Sequence, residues 1–312
     1  MSFSERRIVS LNSKYAQRLN STYVSNVRFN FSDVLSDEGD IISTQCGIYN
    51  AQHPVSFYVI DYRNNVLSYK VNDVVFTVTI APGNYNSTTF ITNLKNGFVA
   101  NAHLFSVNLG AFDGKITFIL LTAATLNEFI ESTTTMWNVL GFNTGVAASA
   151  SSNTIVCPNP LNLLGIKKLK VYSDSLAIQS IDSKNLSTSS LVDTIPVISP
   201  PYELNQYFNP QAPYSKISVN LINQIDIKIL DEDGNFINFN GVDWTITLVL
   251  IILREQNGNG KGNLQTVLEK IDTTLHDIES VINPGQVEET PLPPPQQQTD
   301  VGDLDILEFQ NP

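Results

Sequence analysis

The sequence has few of the side chains that carry out chemistry, and little charge. It contains two cysteines and three histidines in 312 residues, and only 15% of its residues are charged. Cys46 and Cys157 cannot build a disulfide framework or a four-ligand zinc site, so we expect two reduced, buried thiols. His53, His103 and His276 are not at metal-ligand spacing, and no serine lies in a Gly-x-Ser-x-Gly motif. We therefore expect no enzymatic activity, no metal and no cofactor.

Long hydrophobic runs are also absent. The longest, Ile246–Leu253, is about eight residues, whereas a membrane-spanning helix needs roughly 20. Met1–Asn20 is polar and has no apolar stretch of the kind found in a secretory leader. The sequence therefore predicts neither a membrane span nor a standard signal peptide.

The polar part of the sequence is mostly uncharged, and the charged residues are distributed unevenly along the chain. Hydrophobic residues make up 42% of the chain, which argues for a folded core, and the net charge of −12 disfavours non-specific binding to nucleic acid. Residues 1–28 carry five basic side chains and one acidic one, whereas residues 255–312 carry eleven acidic and two basic ones. We expect a basic arm over residues 1–25 and an acidic tail, on either side of a weakly charged body.

The body, residues 26–254, is predicted to be built of strands. Its short runs are rich in β-branched and aromatic residues and are separated by polar breakers. The runs are Val55–Ile60, Val66–Val71, Val74–Ile80, Leu104–Leu109, Lys115–Thr122, Ile166–Tyr172 and Ile217–Leu230. Alternating strand and helix units are absent, so the fold class expected is all-β, a single antiparallel eight-stranded jelly roll.

The end of the body carries the clearest turn signals. Asp231–Asn235 and Asn240-Gly241 flank Phe236–Phe239, and Trp244–Leu253 follows. Asp-Gly and Asn-Gly pairs favour tight hairpins, so the segment is predicted to be an antiparallel meander. The last strand is apolar on both faces, which places it in the centre of a sheet.

Two helices are expected within an insert at about residues 82–165. Thr88–Asn101 spaces its apolar residues with helical periodicity. Leu126–Leu140 is also predicted to be helical and to end at Gly141, because glycine commonly terminates helices.

Beyond Arg254 the character of the sequence changes. Residues 255–263 are a Gly/Asn-rich linker, and residues 264–283 have the periodicity of an amphipathic helix. Residues 284–312 form a spacer that includes the proline-rich Pro291–Gln298, and then an acidic tail with the composition of a disordered segment. We expect the apolar residues of the helix and tail to bind a partner. These residues are Leu268, Ile271, Leu275, Ile278, Leu304, Ile306, Leu307 and Phe309.

Two weaker signals are better explained structurally. Asp231-Glu232-Asp233-Gly234 lacks the glycine at position six and the glutamate at position twelve of a calcium-binding EF-hand loop, so a solvated turn is the expectation. Lys167, Lys168 and Lys170 are expected on an exposed strand face rather than in a nucleic-acid site.

Several turns and apolar positions, taken together, resemble one viral family. Residues 28–254 are similar to the single jelly-roll penton proteins of virophages, polinton-like elements and related double-stranded DNA viruses. The matching stretches are Ala81–Tyr85, a helix containing Leu94, Trp137, Leu140–Phe142, Asp231–Gly234, Phe239–Gly241, Trp244-Thr245 and Leu248.

This resemblance implies a structural protein of an icosahedral virion, made in the host cytoplasm in a viral factory. It implies a homopentamer at each capsid vertex that contacts the major capsid protein and possible further partners: minor capsid proteins, a vertex spike or packaged DNA. The alternative is a minor capsid or receptor- or fibre-attachment protein of the same virion class. A third alternative is a cupin- or lectin-type jelly roll, although the three scattered histidines do not supply the metal cluster of a cupin.

Overall fold

A computed structural model describes residues 2–20, 23–32, 41–176, 180–182, 187–211, 213–217 and 222–255. These residues belong to one compact unit, Met1–Gln256. The predicted linker from residue 256 onward, the predicted helix and the predicted tail lie outside the described residues. None of the helices among the described residues is long and apolar enough to cross a membrane.

The secondary structure is dominated by short strands. The described residues contain two α-helices, α1 (Ser87–Ala100) and α2 (Trp137–Leu140), and two short 3₁₀ turns at Ser13–Tyr15 and Glu131–Thr133. The strands are β1 (Ser2–Asn12), β2 (Gln17–Arg18), β3 (Asn26–Asn30), β4 (Ile41–Pro54), β5 (Val66–Val71), β6 (Val74–Thr79), β7 (Phe105–Leu109), β8 (Lys115–Leu120), β9 (Leu126–Phe129), β10 (Ala148–Ser149), β11 (Thr154–Pro160), β12 (Lys168–Tyr172), β13 (Ser180–Asp182), β14 (Ser187–Ser189), β15 (Leu191–Pro196), β16 (Leu204–Phe208), β17 (Ser215–Ile217), β18 (Gln224–Leu230) and β19 (Thr245–Glu255).

Two antiparallel sheets form the body. The first has the strand order β1-β19-β4-β16, with β17 also paired to β4, and the second has the order β15-β12-β18-β3-β2. The chain passes from one sheet to the other between β1 and β2, β3 and β4, β4 and β12, β15 and β16, β17 and β18, and β18 and β19. This order of eight principal strands is that of a jelly roll, so the predicted all-β fold class is confirmed.

The inner faces of the two sheets enclose the first hydrophobic core. Leu11, Ile48 and Trp244 are each 1% exposed or less within it. The Trp244 indole Nε1 donates a hydrogen bond to the Val24 carbonyl oxygen at 2.8 Å, so the one polar atom of this buried ring has a partner. Burial of large side chains of this kind supplies most of the free energy that holds the sheets together.

The predicted meander at the end of the body is wrong, although its last strand lies where it was expected. β18 pairs with β3 and β12, whereas β19 pairs with β1 and β4 in the other sheet. Ile237 and Phe239 are fully buried, and Phe236 makes only an isolated bridge, to Leu230. The turn residues therefore carry the chain from one sheet to the other, because the apolar residues between them enter the core. β19 lies between two strands, as its two apolar faces predict.

The basic arm expected over residues 1–25 is also corrected. Ser2–Asn12 pairs residue by residue with β19, and Val9 and Leu11 point into the core. Glu5 accepts hydrogen bonds from Arg7 at 2.6 Å and from Arg254 at 3.1 Å, and these contacts lower the pKa of the Glu5 carboxyl. The arm becomes a strand because its alternating apolar residues bury one face and part of its charge is paired.

An insert between β4 and β12 has a hydrophobic core of its own. This core begins at Ile60, earlier than the predicted boundary at residue 82, and ends at Cys157 in sequence. Its sheets have the orders β10-β9-β5-β6 and β11-β8-β7. α1, which agrees with the predicted helix, begins at an Asn86 capping box and buries Phe90, Leu94 and Phe98 completely. The aromatic side chains thus drive a second, separate packing unit.

Two predicted elements of this region are wrong. Leu126–Leu140 forms β9, a 3₁₀ turn and the single turn α2, because Thr134 and Thr135 accept hydrogen bonds from the backbone N–H groups of Ser68 and Val66. These bonds draw the segment onto β5. Val55–Ile60 is not a strand, since β4 ends at Pro54. Val55 exchanges backbone hydrogen bonds with Tyr202 and Glu203, and Ile60 makes an isolated bridge to Gly83.

Gly141 ends α2 as predicted and gives a test of the insert's packing. Its φ is +90°, and a Cβ added there would lie 2.3 Å from the backbone oxygen of Asn159. Gly145 has a φ of +79° but open space around it. We expect Gly141→Ala to lower the free energy of unfolding by about 3 kcal/mol and Gly145→Ala by about 1 kcal/mol. Urea denaturation measures both, and equal losses would contradict this account.

Candidate functional site

The insert is joined to the jelly roll by an ion-pair cluster. The Arg63 Nη1 donates to Asp231 Oδ2 at 2.7 Å, and its Nη2 donates to Asp61 Oδ2 at 2.6 Å. Arg63 begins the insert, whereas Asp231 lies in the connection between β18 and β19. Because the Asp231 side chain is only 8% exposed, this bond is shielded from solvent more than an ordinary surface ion pair. We call this junction the seam.

Asp231 also organises its own turn. Its Oδ1 accepts hydrogen bonds from the backbone N–H groups of Asp233 at 2.9 Å and Asn235 at 2.8 Å. The carboxylate is therefore fully engaged by protein donors, in agreement with a structural turn rather than an EF-hand loop. Across the described parts of the chain, no group of three or more His, Cys, Asp or Glu side chains could hold a metal ion.

A cleft of about 660 Å³ opens beside the seam, which is within the usual size range of ligand sites. Aromatic rings and side-chain amides dominate its walls. Tyr62 at the rim is 82% exposed, whereas Phe57 is 7% exposed. The cleft is lined by Tyr23, Phe57, Tyr58, Asp61, Tyr62, Arg63, Pro82, Ile166, Gly234, Asn235, Phe236, Asn238 and Asn240.

Among the described residues, the outermost strands of the two sheets form two flanks on the narrow sides of the jelly roll. β1 and β2 are edge strands of the two sheets and follow each other in the chain, so together they form one side, the β1–β2 flank. β15 and β16 are the opposite edges and are likewise consecutive, so they form the β15–β16 flank. The two flanks therefore face away from each other across the sandwich.

Both flanks expose large apolar side chains, and their charges differ in sign. The β1–β2 flank exposes Ile8 and Tyr15, and residues 2–19 carry four basic side chains and one acidic one. Residues 191–211 of the β15–β16 flank carry two acidic side chains and no basic one. The large apolar side chains exposed on this second flank are Ile198, Tyr202, Leu204 and Phe208.

A buried histidine–asparagine pair shapes the β15–β16 flank. The Asn205 Nδ2 donates to His53 Nε2 at 2.9 Å and to the Pro196 oxygen at 2.9 Å, and Asn205 Oδ1 accepts from the Ile198 N–H at 2.9 Å. His53 is 3% exposed, and burial lowers the pKa of its imidazole to about 4. The neutral ring thus accepts a hydrogen bond from the Asn205 amide, and the pair fixes the loop that presents Ile198.

The two cysteines are free and buried, as predicted. Cys46 lies in the jelly-roll core and Cys157 in the core of the insert. Burial raises the pKa of each thiol to about 12, so neither forms the thiolate that nucleophilic chemistry requires.

The eight partner-binding residues proposed from the sequence lie outside the described residues, so their role stays a prediction. Lys167 and Lys168 are exposed and Lys170 is half-buried, so the predicted exposed face holds for two of the three lysines. The seam, the cleft and the flanks were not predicted. Arg63 and Asp231 are 168 positions apart, and no local pattern indicates that they pair.

Comparison with known proteins finds similarity at the level of structure. No family model matches the chain, and no curated protein matches it. The structure is similar to the crystal structure of the selenomethionine-labelled mavirus penton protein, with a TM-score of 0.45 and 13% sequence identity. The match covers 79% of this chain and 99% of that chain. The fold assignment rests on the strand order, since a likeness this distant adds no argument of its own.

The seam gives a matched pair of substitutions. Asp231→Ala leaves an Arg63 N–H and two turn N–H groups without their acceptor, so we expect the free energy of unfolding to fall by about 2–4 kcal/mol. Its neighbour Glu232 is exposed, and Glu232→Ala is expected to change the same quantity by less than about 0.5 kcal/mol. Equal effects in urea denaturation would show that the carboxylate does not hold the seam.

His53 makes stability depend on pH. Its folded-state pKa of about 4 lies below the ordinary 6.5, so the unfolded chain binds the proton more readily. The stability contributed by the neutral ring is complete above pH 6.5 and is lost as the pH falls towards 4. We expect it to fall by about 2 kcal/mol between pH 7 and pH 5.

His53→Gln keeps an acceptor for Asn205 but does not titrate. Its free energy of unfolding, measured over the same range, should lack this loss. The same pH dependence in the variant and the wild type would rule out His53 as its source.

Proposed function

We propose that the chain is a structural virion protein that forms the five-membered ring, the penton, at the vertices of an icosahedral capsid. The observation that carries the proposal is the pair of opposite flanks, each apolar and each with its own sign of charge. The five-fold number, the vertex position and contact with major capsid subunits come from the sequence resemblance. The virion vertex and the host cytoplasm are its expected locations.

The two flanks are suited to bind each other in neighbouring copies. A contact between two different surfaces of one chain is heterologous, and it closes into a ring when the rotation per copy divides a full turn. The apolar side chains of Tyr15 and Ile8 would meet those of Leu204 and Phe208. The opposite net charges of the flanks would favour this pairing and oppose the contact of two like flanks.

The chemistry of the interior also fits a structural role. His53 is held neutral, and the thiols of Cys46 and Cys157 are held protonated, each by burial in a packed core. Their polar atoms contribute to packing rather than to a reaction. The described surface offers shape and apolar contact, which are what a shell protein requires.

Ring formation can be tested by removing apolar anchors from one flank at a time. Ile8→Ser with Tyr15→Ser removes those of the β1–β2 flank, and Leu204→Ser with Phe208→Ser removes those of the β15–β16 flank. All four side chains are exposed, so folding should be retained. We expect native mass spectrometry to show pentamers of the wild-type chain and monomers of each double variant.

Mixing the two double variants is the decisive step. Each retains one intact flank, so the mixture should form 1:1 dimers and no rings. Val74→Ser with Val75→Ser, on exposed residues of the insert, is the control and should remain pentameric. A monomeric wild type, a two-fold dimer, or rings formed by either flank variant would contradict the proposal.

A further inference from the structure

The cleft beside the seam carries an inference that goes beyond assembly through the flanks. Tyr23, Tyr58 and Tyr62 all line it, and their hydroxyls make no hydrogen bond among the described residues. Three tyrosines elsewhere use theirs internally: Tyr69 with His103, Tyr85 with the Ala81 oxygen and Tyr207 with Asp193. Three aromatic rings with unused donors in one cleft indicate a ligand that has apolar faces and hydrogen-bond acceptors.

Several of the other polar groups of the cleft are already engaged. Arg63 is bound by Asp61 and Asp231, the Asn235 Nδ2 donates to Asp231, and the Asn240 Nδ2 donates to the Ser56 oxygen. A saccharide, which needs both donors and acceptors around its ring, would find few of these groups available. A ligand that needs only donors and aromatic surfaces is favoured.

An adjoining hollow of about 390 Å³ extends the same surface and shares Phe57, Tyr58 and Ile166 with the cleft. It is also lined by Asn84, whose buried Nδ2 has no acceptor among the described residues. The hollow therefore extends the apolar surface of the cleft.

A polyproline II helix has the matching chemistry. Its proline residues have no N–H, its carbonyl groups make no internal hydrogen bonds, and its rings pack against aromatic side chains. Tyrosine-lined grooves that bind extended proline-rich segments are a recurrent mode of peptide recognition. The sequence contains such a segment, since Pro291–Pro295 has four prolines in five residues and Pro291–Gln298 carries no charge.

We propose that the groove binds an extended proline-rich peptide, and that the ligand is the Pro291–Pro295 segment of a second copy of the chain. An uncharged segment suits a cleft whose Arg63 is neutralised by two aspartates. Five residues of polyproline II span about 15 Å at 3.1 Å per residue, a length suited to two adjoining hollows. Such a contact would link copies independently of the flanks.

The test uses the full chain with Pro293, Pro294 and Pro295 replaced by serine, so that its own segment does not compete. A synthetic peptide of residues 289–298 is titrated against it and followed by the tyrosine signals in NMR. We expect saturable binding, and we expect a peptide with alanine in place of every proline not to bind. Binding of the peptide to the groove is expected whether the protein is a ring or a monomer.

Two variants localise the binding. Tyr62→Ala should weaken it at least about tenfold, because an exposed aromatic anchor is lost. Phe112→Ala removes an exposed aromatic side chain of the insert, away from the cleft and the flanks, and should leave binding unchanged. The proposal is overturned if the peptide does not bind, if the alanine peptide binds equally well, if Tyr62→Ala has no effect, or if only a panel of oligosaccharides perturbs the cleft tyrosines.

Discussion

The fold depends on one requirement, that β19 has a paired strand on each side. Its inward residues Ile246, Leu248, Leu250 and Ile252 are buried, and Val249 on the opposite face is only 1% exposed. A strand with so much apolar surface is stable only in the interior of a sheet. β4 takes one side, and the beginning of the chain, Ser2–Asn12, takes the other. Closing the sheet in this way draws the N-terminal segment into the fold and makes it an edge strand.

This closure has a direct consequence for the surface. Since β1 is the edge of the first sheet and leads into β2 at the edge of the second, the basic residues of the beginning of the chain gather on one narrow side of the sandwich. The loop that joins β15 to β16 gathers exposed apolar residues on the opposite narrow side. His53 and Asn205 hold that loop from within the core. Two unlike and opposite surfaces are thus a product of the strand order itself.

The fold class was readable from the sequence because it depends on composition and short-range periodicity. The predictions for Val66–Val71 and Val74–Ile80 agree with β5 and β6, where a β-branched run carries its own signal. Leu126–Leu140 was misread because side-chain hydroxyls of threonine bind a strand some 66 positions earlier. The meander was misread because Asp-Gly and Asn-Gly pairs specify a turn but not the sheet to which the next strand belongs.

The candidate sites were less accessible to sequence reasoning than the fold. The two flanks lie about 190 positions apart in the sequence, and each is recognisable as an edge only once the strand order is known. The cleft is similar, since Tyr23 comes from the jelly roll, Tyr62 from the start of the insert and Phe236 from the connection before β19. None of these aromatic residues has a neighbour in sequence that marks it as part of a surface.

The insert raises a different question, namely how two hydrophobic cores on one chain keep a fixed relation. Each core buries its own apolar side chains, so apolar burial alone does little to set the orientation of the insert relative to the jelly roll. The hydrogen bonds at Arg63 and Asp231 have strict geometry, and charge-assisted bonds of this kind are directional. Because Asp231 also fixes the turn that forms one wall of the cleft, the same carboxylate that orients the insert determines the shape of the groove beside it. The affinity of that groove for a ligand would therefore depend on the orientation of the insert.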